Sequence, residues 1–301
     1  MSKQLVLGVL SAVALMAVLG AQEEGGGGGG RGFAGDDAAG AIRPPTRFEQ
    51  FIGRLKIDAR TQGPQASAAL QEASTEGGPI GRQMAQLQNQ LVSALLANRP
   101  ETEIKPILEG YTEQATKMIG LEARTFAKAL AMGKANPSGA VQAFDIMAGW
   151  FQPPPPGATA RGGRTGRAGG GAGGGGTPRL DVLIGTFKLA RDQERTVKAL
   201  MDEAAKSAAP IRDGLSKTRS AVATAIQAGK AQAEIDAAAS AYAVQAPAMA
   251  ELEMRTLAKV MQALTPEQRA NQAGVRSTFF LMRNAFITRS WNEVPDPDKG
   301  Y

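Results

Sequence analysis

The sequence predicts an all-α protein: two tandem repeats of an antiparallel four-helix or helical-hairpin unit, joined by a linker rich in Pro, Gly and Arg. Three observations predict it. Helix-favouring residues dominate, aromatic residues make up only 5% of the chain, and no period-two alternation of β-branched residues is sustained. Leu121–Lys128 reads LEARTFAK and returns 131 positions later as LEMRTLAK, Leu252–Lys259. The same offset pairs Tyr111 with Tyr242 and Ile104 with Ile235, and near the repeat start Ile52-Gly53 matches Ile184-Gly185 after a one-residue drift. The third observation is a seam. Ile104, Leu108, Tyr111, Ala115 and Met118 step by four, three, four and three, as do Ile235, Ala239, Tyr242, Ala246 and Met249. Such spacing suits packing along antiparallel helices, and it makes Met118 and Met249 core residues before soft-metal ligands.

The elements follow in order. Residues 1–21 read as a secretory signal peptide: Lys3 ahead of an apolar run from Leu5 to Leu19, then small residues at Gly20 and Ala21. The run is short for a spanning helix, so cleavage and export are expected, with an uncleaved anchor as the alternative and no stable membrane insertion after cleavage. The mature protein would lie in the periplasm or outside the cell. Residues 22–43 are too Gly-rich to order themselves. Repeat one spans 44–152, with breaks expected at Gly77-Gly78-Pro79, at Asn98-Arg99-Pro100 and at Gly63-Pro64. The linker, 153–179, carries four Arg and no acidic residue. Arg161, Arg164 and Arg167 form an RGG-like segment, which behind a signal peptide reads as a tether; no nucleic-acid partner is expected. Repeat two spans 180–292, with helices expected at 180–206, 209–228, 231–263 and 266–290. Pro210 would open the second of these, and Pro247 would kink the third. Residues 293–301 form a tail.

Composition excludes much chemistry. The chain has no Cys and no His, which removes disulfides, thiolate nucleophiles, the Ser-His-Asp arrangement and the usual transition-metal ligands. No catalytic, cofactor-binding or metal-binding residue stands out, so an enzyme using paired carboxylates ranks well below a binding protein. The net charge of +6 favours acidic partners weakly. Among the repeated polar residues, Arg124 and Lys128 lie at i and i+4, as do Arg255 and Lys259. Each pair makes one basic stripe, read either as interhelical ion pairs or as a client-binding face.

Leu264-Thr265-Pro266-Glu267-Gln268-Arg269 reads as a helix start, with Thr265 as cap, Pro266 at the first position and Gln268 able to reach back. Asn136-Pro137 plays that part in repeat one. Phe187-Lys188-Leu189-Ala190-Arg191-Asp192-Gln193 has the same shape with Ala190 in place of Thr, and Leu55–Thr61 is a fainter copy with Asp58 able to cap. Leu264, Thr265 and Gln268, with Leu189 and Gln193, resemble the paired motif of the LTxxQ family of periplasmic proteins typified by Spy and CpxP. That resemblance implies helical cradles, usually dimeric, that hold unfolded or other envelope proteins without ATP or sense envelope stress. Some relatives bind metals through His-rich or Met-rich segments; the lack of His puts that in doubt here. Two units in one chain would give an intramolecular pseudo-dimer, or a homodimer of the whole chain. The expectation is therefore an exported, non-enzymatic chaperone or envelope-stress protein; the alternative is a structural or assembly protein of the envelope.

Overall fold

The computed structural model describes residues 45–151, 178–287 and 290–293. The expected signal peptide, Gly-rich segment, nearly all of the linker, and the tail beyond Glu293 lie outside the described residues. Among the described residues all regular structure is helical: α1 Arg47–Leu55, α2 Gly63–Leu96, α3 Glu101–Leu130, α4 Pro137–Ile146, α5 Arg179–Phe187, α6 Arg191–Gln227, α7 Gln232–Gln262, α8 Pro266–Arg269 and α9 Gln272–Met282.

Local chemistry fixes most of these ends. Thr46 caps α1 through a capping box with Glu49. Both α1 and α5 stop at a lysine in the left-handed conformation, Lys56 at φ 54° and Lys188 at φ 50°. Asp58 then turns the chain toward α2, its Oδ1 accepting the Arg60 and Thr61 N–H groups at 2.9 and 2.8 Å; those bonds hold its carboxyl below the usual range. Asn136 caps α4, accepting the Gly139 N–H at 2.7 Å, with Pro137 at the first helical position.

Several expected breaks fall elsewhere. The helix runs unbroken through Gly77-Gly78-Pro79 in α2 and through Pro210 in α6; Pro247 lies inside α7, which continues past it. Each proline removes one N–H from its ladder, but packing along the rest of the helix holds it together. Gly77 serves packing instead of turning: a Cβ there would sit 2.4 Å from the Phe151 Cβ. The real interruption in the second half comes at Lys188-Leu189-Ala190, inside the motif that resembles a helix start. The expected last helix, 266–290, divides at Ala270-Asn271, where Asn271 caps α9 by accepting the Gly274 N–H at 3.0 Å. The breaks at Gly63-Pro64 and Asn98-Arg99-Pro100 stand where expected.

The described residues belong to one compact unit. Helices α2 and α3 run antiparallel across the connection 97–100, as do α6 and α7 across 228–231. Helix α3 packs along α7, α2 also meets α7, and α4 lies on α6. Two hydrophobic cores result, and each is completed by the far tip of the other half. The first gathers Phe51, Leu55, Phe126, Phe144 and their neighbours with Val222, Ala223, Ala239 and Ala243, which lie near the α6–α7 turn. The second gathers Leu183, Met201, Leu257, Phe279 and Phe286 with Leu91, Val92 and Ile104, which flank the α2–α3 turn. Met118 and Met249 are core residues as expected.

Candidate functional site

The basic residues singled out in the sequence sit on two separate surfaces. Arg124 donates to Glu76 at 2.7 Å and Lys128 to Glu72 at 3.3 Å, both across the α2–α3 face and well exposed. In the second half the position matching Glu76 is Ser207, and Arg255 turns elsewhere, to Glu251 at 2.6 Å and Glu101 at 2.9 Å. Lys259 is exposed. Because Arg255 holds the first residue of α3, its stripe lies about 35 Å along that helix from Arg124. The four residues do not form one patch. Beside Arg255 an open groove of about 350 Å³ runs between the start of α3 and α7, lined by Glu101, Thr102, Ile104, Lys105, Leu108 and Glu251.

The motif residues, by contrast, come together. Thr265 Oγ1 accepts the Gln268 N–H at 3.3 Å, and Gln268 Oε1 accepts the Thr265 N–H at 2.9 Å, completing the expected capping box. Gln193 makes the corresponding return bond, its Oε1 accepting the Ala190 N–H at 3.1 Å; Ala190 has no side-chain acceptor with which to reciprocate. The two glutamines then face each other. Gln193 Nε2 donates to Gln268 Oε1 at 2.8 Å, and Gln268 Nε2 donates to Gln193 Oε1 at 3.1 Å. Their amide groups also donate to backbone, Gln193 to the Ala263 carbonyl and Gln268 to the Phe187 carbonyl, both at 3.0 Å. One amide pair thus ties the end of α5, the start of α6, the end of α7 and the start of α8. Leu264 is buried under it, and Leu189 packs against the same core.

No protein-family model, curated protein or solved structure matches this chain.

A second polar constellation, built on the glutamates of the repeated segments LEARTFAK and LEMRTLAK, lies where α3, α6 and α7 meet. Glu122 of α3 and Glu253 of α7 are both buried. Glu122 Oε2 accepts from Arg219 of α6 at 2.5 Å, and Arg219 also donates to the Phe144 carbonyl at 2.5 Å and lies 4.2 Å from that ring's centroid. Burial works against the Arg219 charge, but Glu122 beside it leads the groups that hold its pKa above the ordinary value. Burial also pushes the Asp145 carboxyl up, against the pull of Arg219. The two glutamates line a crevice of about 60 Å³ with Tyr111, Tyr242, Met84, Met118 and Met249. Both halves build it. Burial raises the phenols of Tyr111 and Tyr242, so neither ionises near neutral pH. Among the described residues, no group of three or more Asp, Glu, His or Cys is placed to hold a metal ion.

The ends of both halves are clamped alike. Arg47 donates to the Ile146 and Ala148 carbonyls and stacks 4.8 Å from the Trp150 centroid. Arg179, itself buried, donates to the carbonyls of Leu281, Trp291 and Glu293. Trp291 Nε1 in turn donates to Asp202 at 2.8 Å. The matching arginines, one at the head of α1 and one at the head of α5, were legible in the sequence but were not singled out.

Proposed function

We propose that this is an exported, non-enzymatic helical binding protein of Spy/CpxP type, built by tandem duplication of a helical-hairpin unit and acting by reversible association with other proteins. The observation that carries the reading is the reciprocal amide pair between Gln193 and Gln268, which gives the two motif glutamines a joint purpose that a chance capping string would not need. The duplication draws support from matching parts: the left-handed lysines 56 and 188, the arginine clamps 47 and 179, and the buried glutamates 122 and 253. Two such units in one chain, each completing the other's core, act as an internal pseudo-dimer.

In this reading the groove beside Arg255 receives an extended client segment. Half-buried Leu108 offers apolar contact above the buried Ile104, and Glu101, Lys105 and Glu251 supply charges that select and steer. Among the described residues only Leu96, Val244 and Ile287 are large, apolar and exposed, so charge contributes more to the encounter than apolar area does. The test is suppression of aggregation of a reduced, unfolding substrate followed by light scattering. Suppression near stoichiometric ratios is expected, and the double reversal R255E/K259E separates two roles: weakened suppression with an intact melting transition supports the groove reading, and a lowered transition assigns Arg255 to its ion pairs with Glu101 and Glu251. No suppression at several-fold excess of the wild-type protein overturns the reading.

A further inference from the structure

Glu122 and Glu253 occupy matching places, yet only one has a charged partner. Arg219 reaches Glu122 from the other half. Subtracting the same 131-residue offset from 219 gives Gln88, an uncharged residue that is itself buried with an oxygen lacking any protein partner. Among the described residues no lysine or arginine forms an ion pair with Glu253. Backbone N–H groups of Asn284 and Phe286 donate to it, much as the left-handed turn residue Gly149 offers its N–H to Glu122 at 3.4 Å. The Glu253 Oε1 atom has no partner on the protein, and the residue is only 2% exposed. An ionised carboxylate held this way is far costlier than its neutral acid.

Its surroundings do not offset that cost. Arg283 after α9 and Arg179 at the head of α5 pull the carboxyl down, though less than burial raises it, and Arg212 of α6 is engaged with the Phe286 carbonyl. From the first half, α3 presents Tyr111 and the second carboxylate, Glu122, while α2 presents the uncharged Met84. Burial outweighs the rest and lifts the Glu253 carboxyl to about 7. The residue lies on α7, the helix against which α2 and α3 of the first half pack.

We propose that Glu253 carries a proton in the packed molecule and that losing it loosens the junction between the two halves, so that their pairing weakens as the surroundings become alkaline. The folded chain keeps this proton up to about pH 7, whereas the unfolded chain releases it near 4.5. Stability from this group is therefore complete below about pH 4.5 and is lost as the pH rises to about 7. This inference is independent of what the protein binds.

The test compares the full-length chain with its Glu253→Gln variant, whose neutral amide stands in for the protonated acid. Urea unfolding from pH 4.5 to 8 should show the wild type losing on the order of 100-fold in its folding equilibrium constant relative to the variant; parallel profiles overturn the proposal. Should the variant fail to fold, carboxyl-carbon NMR of the wild type decides the same point. A glutamate titrating near pH 7 is expected, and the absence of any above pH 6 overturns it. Amide hydrogen exchange in α3 and α7 around Tyr111 and Tyr242, corrected for intrinsic rates, should accelerate between pH 6 and 8 in the wild type. Unchanged protection overturns the loosening.

Discussion

The same backbone carbonyl, at the end of the first short helix of each half, is satisfied in two different ways. In the first half the Leu55 carbonyl accepts the Lys134 N–H at 2.9 Å. In the second half the Phe187 carbonyl accepts a side-chain N–H from Gln268 at 3.0 Å. Loop length explains the difference. Nine residue steps separate Lys128 from Pro137, against seven from Lys259 to Pro266. The longer connection, with Gly133 at its closest approach, lets backbone touch backbone; a Cβ at Gly133 would lie 2.1 Å from the Leu55 oxygen. The shorter connection stays back, and a glutamine spans the gap. A buried or half-buried carbonyl must be paired, but the sequence can meet that demand with a glycine or with a long polar side chain.

The largest expected effect comes from the central ion pair, where the halves also differ. Arg219→Met leaves Glu122 buried without its cation, and urea unfolding should show a loss of about 3–5 kcal/mol. Gln88→Met, at the matching position in the first half, removes only a polar group whose oxygen has no partner, and should cost less than about 1.5 kcal/mol or stabilise the fold. Equal losses in the two variants would erase the asymmetry. Next in size is Gly133→Ala, expected to cost about 1–3 kcal/mol by forcing the α3–α4 connection away from Leu55.

The glutamine joint sharpens the comparison further. Gln193→Ala and Gln268→Ala should each lose about 1–2 kcal/mol, and the double variant should lose less than their sum because each deletion already breaks the shared pair. Additive losses would mean the two amides act independently. Thr265→Ala removes the α8 cap and should cost about 1 kcal/mol, measured by the same unfolding curves. That is the smallest loss expected around the glutamine joint, since Gln268 retains its other bonds.

Much of this was legible in the sequence, and the residues show where legibility stopped. Capping chemistry is local, so Thr265, Asn136 and Asp58 could be read directly, as could the seam that buries Met118 and Met249. Gly77, Pro79 and Pro210 misled because their local preference for breaking a helix was overridden by distant packing; Phe151, more than seventy positions away, is what requires Gly77. The pairing of Gln193 with Gln268 could be suspected from motif shape, but their contact depends on how α5 and α8 meet. The repeat offset itself could have exposed the Arg219–Gln88 mismatch, because it follows from aligning the halves. The basic stripes were visible too; that Arg255 serves a different acid from Arg124 follows from Ser207 standing where Glu76 stands in the first half.

The exchange of hairpin tips between the two cores has a consequence for how the chain reaches its native state. Neither core is completed by local contacts alone, because Val222 and Ala243 join the cluster of Phe126, and Leu91 joins that of Phe279. Such pairings join residues roughly one hundred or more positions apart, which slows folding. Burial of the first core is therefore completed only by residues of α6 and α7, and burial of the second only by residues flanking the α2–α3 turn.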